Sequence, residues 1–310
     1  MRRPPPRALV AACVLIKVYM LAGPLTRRVV TALAAGACAS SPSFLSPLLA
    51  AAPPAASPSS LTNEAGVYVV DKEKAANGLE DPLAEPIGAY STISAALAVA
   101  PRGATVLVKP GSYTERLIVR QPMKLLAEPG ATLSWTSDKP YEAALTIDLS
   151  GAEAAGDVII SGLKVRHFSP SIAQNYGVFV PAPTTPAASK SRVELRGCDV
   201  TSSSGSGVGV EGGDVTLTSS RIGACKNHGV LYLGRSSSGL IRDCLIENNK
   251  LNGLLLRDGA SPVVEASRFV GNGQFGAALI DCRGRLREDN TFKGNAKGAV
   301  SGECDDDDDD

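Results

Sequence analysis

The second half of the chain is built from short apolar runs separated by Gly, Asn and Ser, and no run is long enough to make a helix. The runs recur. Segments beginning Val193-Glu-Leu-Arg-Gly-Cys, Val215-Thr-Leu-Thr-Ser-Ser, Gly239-Leu-Ile-Arg-Asp-Cys, Pro262-Val-Val-Glu-Ala-Ser and Arg285-Leu-Arg-Glu-Asp-Asn align in four columns. The first column is Cys198, Ser220, Cys244, Ser267 and Asn290, spaced by 22, 24, 23 and 23 residues. Two places later stand Val200, Ile222, Ile246, Phe269 and Phe292. Next come Ser203, Cys225, Asn249, Asn272 and Asn295, then Gly207, Gly229, Gly253, Gly276 and Gly298.

A repeat of this length with strand-like runs predicts one coil of a solenoid per repeat, each strand pairing in parallel with its copy about 4.8 Å away. Branched and small residues then stack inside the coil. The Asn column is expected at a turn, its amides bonding up and down the stack, with Asn and Gly tolerating the left-handed backbone such turns need. A leucine-rich horseshoe fails for lack of its Leu-x-x-Leu-x-Leu frame. A parallel β-helix follows.

Earlier segments extend the body less regularly. Ser161-Gly-Leu-Lys-Val-Arg-His-Phe enters the register one coil earlier, and the Pro181–Lys190 stretch lengthens that coil as a loop. Thr105-Val-Leu-Val, Leu117-Ile-Val, Met123-Lys-Leu-Leu, Ala131-Thr-Leu-Ser and Leu145-Thr-Ile-Asp are further strand candidates. The run from Ser91 to Ala100 reads as a short amphipathic helix before Pro101, placed to cover the open end of the solenoid.

Charge sharpens the boundaries. Lys plus Arg and Asp plus Glu each total 31 in 310 residues, yet no acid precedes Glu64, and Asp305 to Asp310 is an unbroken acidic run. Residues 64–304 are neutral on their own account, which disfavours binding to nucleic acid through phosphate neutralisation. Residues 1–39, with Arg2, Arg3 and Arg7 before an apolar stretch, read as a targeting presequence, for the secretory pathway or a plastid. Residues 40–63 are an Ala/Pro/Ser linker, 64–304 the β-helix domain and 305–310 a solvated acidic tail. A membrane is expected as a partner only if the N-terminal segment is retained as an anchor.

Candidate chemistry is sparse. His167 and His228 are the only histidines, and each is read first as a structural turn residue. Cys198, Cys225, Cys244, Cys282 and Cys304 lack metal-ligand spacing, so no metal or cofactor is expected; a disulfide among them is possible and its pairing open. With Val208, Val210, Val230, Tyr232, Leu254 and Leu256 inward, Gly209, Leu231, Leu255 and Ala278 face out, as a contact surface or beneath the 181–190 loop. Asp199, Arg221, Arg242, Asp243, Glu265 and Arg268 lie on nearby coils. They read most simply as a salt-bridged wall, and more sharply as a ligand site for an acidic polysaccharide.

The run Ser91-Thr-Ile-Ser-Ala-Ala-Leu with Pro101-Arg-Gly-Ala-Thr-Val-Leu-Val-Lys-Pro-Gly-Ser-Tyr-Thr-Glu115 resembles the start of pectin-lyase-like right-handed β-helices. The later repeats are similar to the CASH repeats of β-helical F-box proteins, whose ubiquitin-ligase role does not carry over. The resemblance covers about 66–304 and implies a single-stranded right-handed parallel β-helix with an N-terminal capping helix. It implies no one activity, because the fold hosts lyases, hydrolases, esterases and scaffolds. Gly111-Ser-Tyr-Thr-Glu115 and Leu233-Gly-Arg235 match fragments of pectin methylesterase motifs, but the two catalytic Asp contexts are missing. Asn227-His228-Gly229 has no paired Asp before it, as a polygalacturonase would need. The sequence therefore predicts a non-catalytic recognition module for a glycan or a protein, with a uronate-polymer lyase, epimerase or hydrolase as the alternative.

Overall fold

A computed structural model describes residues 66–77, 89–170 and 175–305, all within one compact unit, Ala56–Asp310. The presequence, the linker and nearly all of the acidic tail lie outside the described residues.

The chain coils through three parallel sheets in fixed order. Sheet A has ten strands, and sheets B and C have eight each. The first coil runs Thr105–Val108 in A, Gly111–Thr114 in B and Leu117–Val119 in C. The last runs Arg285–Leu286, Thr291–Lys293 and Gly298–Ser301. Every strand expected from the sequence is present. Sheet A also gains Val67–Val70 and Ala89–Tyr90, ahead of the first coil, which were not expected.

The interior is one continuous core, from Val70 through Leu133, Val178, Ile222 and Tyr232 to Phe269. Phe269 and Phe292 stack with ring centroids 4.9 Å apart, as their shared column requires. Between sheets A and B, Cys198, Ser220, Cys244, Ser267 and Asn290 form the expected ladder. The Cys198 amide donates to Ser220 Oγ, the Cys244 amide to Ser267 Oγ and the Ser267 amide to Asn290 Oδ1. Cys198, Cys225 and Cys244 are buried free thiols, and burial pushes them up to about 11, 12 and 11. They pack as small apolar residues and are poor nucleophiles.

The turn between sheets B and C carries the Asn ladder. Asn249 Nδ2 donates to Asn272 Oδ1 at 3.0 Å, and Asn272 Nδ2 to Asn295 Oδ1 at 2.9 Å. One member of the column needs correction. The Lys226 amide bonds to Ser202 O as the Lys250 amide bonds to Cys225 O, so Ser202, not Ser203, stacks on Cys225. Ala224, at φ 54°, adds a residue before the turn, and a longer loop follows Ser202. The two shifts cancel in the overall spacing. Going the other way the column continues through His167 and Trp135.

Most of the Gly column has a different cause from the one expected, only Gly298, at φ 128°, having the positive φ. The left-handed positions are Ala224, Asn248, Gly271 and Gly294, just before the ladder residues. Gly229 and Gly253 are needed for close approach instead. A Cβ on Gly253 would lie 2.6 Å from Gly276 O and 2.8 Å from Asn272 Nδ2.

Helix α1 (Lys72–Asn77) starts at Asp71, whose Oδ1 accepts the Glu73 and Lys74 amides. Helix α2 (Ile93–Val99) buries Ile93 and Ala96 against the first coil. Thr92 caps it, and Glu115 reaches from the end of the first sheet B strand to accept the Ile93 and Ser94 amides at 2.8 Å. In the same segment Tyr113 is buried, with its hydroxyl donating to Lys109 O at 2.9 Å. The Gly-x-Tyr-x-Glu element therefore builds the capped end of the solenoid. Helix α3 (Pro186–Ser189), in the 181–190 loop, sends Ala188 into the main core. That loop packs beside Gly212 and Gly213, where the chain passes from sheet C to sheet A.

Asn272 sits in the middle of the ladder, and its loss strands buried donors on Asn249 and removes bonds to Ile246 O and Asn295 Oδ1. Asn272→Ala is expected to cost about 3 kcal/mol in urea denaturation. Exposed Lys293→Ala on a neighbouring coil should cost under about 0.5 kcal/mol.

Candidate functional site

The outer face of sheet B carries the candidate wall. Its strands alternate inward and outward, and parallel pairing stacks the outward residues in two columns. One runs Thr132, Lys164, Asp199, Arg221, Leu245, Arg268 and Thr291. The other includes Ser134, Arg166 and Thr201, then Gly223, Glu247, Val270 and Lys293.

Asp199 and Arg221 meet as predicted, at 3.2 Å. Two further residues complete a four-coil chain of alternating charge. Arg166 Nη2 lies 2.6 Å from Asp199 Oδ2, and Arg221 Nη2 lies 2.7 Å from Glu247 Oε1. Arg166 Nη1 also donates to Asp199 O at 2.8 Å, which fixes the guanidinium plane. Burial raises the Asp199 carboxyl, but hydrogen bonds and charge from Arg166 and Arg221 outweigh it, leaving the group below the usual carboxylate range. Burial likewise opposes charge on Arg221, and Glu247 and Asp199 more than restore it. Arg166 and Glu247 escaped notice because they sit in the neighbouring outward column, two residues away along their strands.

The other predicted residues disperse. Arg242 and Glu265 pair with each other on sheet A. Asp243 sits in the turn between sheets at φ 54°. Arg268 shares the Asp199 column, but Leu245 separates it from Arg221, and it makes no ion pair among the described residues. The six residues do not form a single site.

Towards the N-terminal end the same face becomes rich in hydroxyls. A groove of about 200 Å³ is lined by Ser134, Thr136, Arg166, Phe168, Thr201 and Ser203, with Trp135 and His167 at its base. Phe168 is 47% exposed. Behind it lies a polar cluster. His167 Nδ1 is 2.9 Å from Ser202 Oγ, and burial lowers this imidazole to about 4 despite nearby Glu142. Glu142 accepts hydrogen bonds from Ser137 Oγ and, at 3.1 Å, Arg116 Nη1. The Ser137 bond, with Arg116, holds it below the ordinary glutamate value. Neither group is tuned for proton transfer near neutrality.

His228 is half-buried, accepts the Asn252 amide at Nδ1, and is lowered by burial to about 4. Leu231, Leu255 and Ala278 lie outside the main core but are buried, in a cluster of their own with Ala143, Tyr176 and Phe179, so they offer no open contact surface. Tyr176 and Phe179 stack at 5.0 Å, and a Cβ on Gly209 would strike the Tyr176 ring. Among the described residues no group of His, Cys, Asp or Glu side chains is placed to hold a metal ion.

Three parallel sheets wound in this order find a counterpart in sequence: a family of right-handed β-helix regions matches residues 150–306. The chain belongs to the right-handed β-helix family. No curated protein matches it. Among solved right-handed β-helices, it is similar to the pectin methylesterase of Aspergillus niger in deglycosylated form. That likeness has 14% identity over 77% of this chain and 87% of the other, with a TM-score of 0.48. A pectin methylesterase mutant in complex with a hexasaccharide is 14% identical over 72% and 67%, with a TM-score of 0.42. Pectin methylesterase PemA from Erwinia chrysanthemi is 11% identical over 73% and 92%, at 0.39.

The two histidines set a pH dependence. Their folded values, about 4, lie below the unfolded value near 6.5, so the folded state binds fewer protons. Their contribution is complete above pH 6.5 and lost as pH falls towards 4. Denaturation midpoints should drop across that window, and His167→Asn should flatten the drop.

Proposed function

We propose that this chain is a non-catalytic recognition module that binds an acidic polysaccharide along the outer face of sheet B. The observation that carries this reading is the groove beside Phe168. An exposed aromatic ring, four hydroxyl side chains and a guanidinium held rigid by Asp199 border one small hollow. An apolar face with a few fixed polar groups suits a sugar ring, and Lys164 and Arg166 suit its carboxylate. The hydroxyl surface continues towards the first coil through Ser112, Thr114 and Thr132, giving a path along stacked coils for a polymer. Asp199 and Glu247 are engaged by guanidiniums, which favours a binder over the alternative of a polysaccharide-modifying enzyme.

The Cys282–Cys304 disulfide supports delivery to an oxidising compartment, in keeping with removal of residues 1–39 as a presequence on a secretory route. Mass spectrometry of the native N-terminus tests that assignment.

Calorimetric titration with oligogalacturonate and alginate fragments tests the binding reading. Phe168→Ala and Arg166→Ala are each expected to weaken binding at least ~10-fold, about 1.4 kcal/mol, with the melting transition little changed. Release of unsaturated or reducing uronate, or of methanol, from any polymer would overturn the non-catalytic reading.

A further inference from the structure

A cleft larger than the groove on sheet B lies elsewhere in the molecule. It lies at the capped end of the solenoid, between helix α2 and the first strand of sheet C, and measures about 690 Å³. Ser94 and Leu97 of α2 form one side, and Ile118 of the edge strand forms the other. Arg102, Arg116 and Arg120 converge on it, against one lining carboxylate, Glu153. Arg116 is taken up by Glu142, at 3.1 Å. Arg120 is two-thirds exposed and only loosely held by Asp148, at 3.8 Å. Arg102 donates one hydrogen bond, from Nη2 to Ala155 O, and makes no ion pair among the described residues.

The opposite end of the solenoid carries the complementary charge. Asp305 follows Cys304, and its amide donates to Cys282 O at 2.8 Å, so the six-residue Asp run leaves from a fixed point at the last coil. The cleft and this point are separated by the eight strands of sheet C, which at the pairing distance span ~34 Å. Fully extended, the run itself reaches only ~21 Å. It cannot enter the cleft of its own chain.

We propose that the arginine cleft receives the Asp305–Asp310 run of a second copy, joining solenoids head to tail. The contact is heterologous, so each copy keeps a free cleft at one end and a free tail at the other, and the assembly grows as an open chain. Held largely by charge at an exposed site, it weakens steeply with salt.

Sedimentation of the full chain over a concentration series tests this. At ~20 mM salt the average mass should rise at least twofold with concentration, and at ~500 mM salt it should return to the monomer, because the Debye length falls from ~20 to ~4 Å. Deleting Asp305–Asp310, or introducing Arg102→Glu with Arg120→Glu, should each leave a monomer with an unchanged circular dichroism spectrum. Mixed, the two variants should form a one-to-one pair, since one brings the cleft and the other the tail. A full chain that stays monomeric, a tail-deleted chain that still associates, or variants that ignore each other would overturn the proposal. So would pairing lost through Arg285→Glu with Arg287→Glu in the tail-bearing partner, since these line the hollow at the tail's own end.

Discussion

Each coil of this chain hydrogen-bonds its backbone to the next, and parallel pairing in register sets every side chain directly against its counterpart one coil away. Stacking of like on like then decides which residues the interior accepts. An amide in one coil needs an amide in the next to satisfy it, as Asn249, Asn272 and Asn295 do. A glycine beside that ladder leaves no room for a Cβ, because the carbonyl of the following coil already occupies the space. Where the sequence varies, the column continues differently: the Cys225 amide donates to Asn249 Oδ1, and Ser202 Oγ pairs with His167 Nδ1.

Stacking also governs what the amino-acid sequence reveals. The columns at Cys198, Val200 and Gly207 are legible because a copying rule at fixed period leaves a mark on the chain, and the capping helix is legible from its apolar face and following proline. Two insertions of opposite effect hide the true partner of Cys225, since only their sum appears in the spacing. The wall was half legible. Asp199 and Arg221 share a column, whereas Arg166 and Glu247 join them diagonally, which requires knowing how the side chains lean. The arginine cleft left no periodic mark, because Arg102, Arg116 and Arg120 belong to the first, irregular coil and its cap.

The neutral balance of the solenoid conceals an arrangement by position. On sheet B the carboxylates of Asp199 and Glu247 are taken up by Arg166 and Arg221, and on sheet A Arg192 pairs with Asp214 and Arg242 with Glu265. Pairs this exposed add little stability each. Their effect is to hold planar groups in fixed orientation on a rigid lattice, with the Asp199 carboxyl lowered and the guanidinium of Arg221 kept charged. Lys164 and Arg268 stand on the same face without an ion pair among the described residues, and selectivity there rests on them together with the aromatic and hydroxyl groups beside the paired ions.

The disulfide has a mechanical meaning. A linear stack coupled only to its neighbours ordinarily peels from its ends. Cys304 follows the final strand, and its partner Cys282 belongs to the coil before, 22 residues back. Tension applied through the tail therefore bypasses the last coil and enters the penultimate one, leaving the final three strands slack inside a covalent loop. The load at that end is borne by a deeper row of hydrogen bonds than the one nearest the pull.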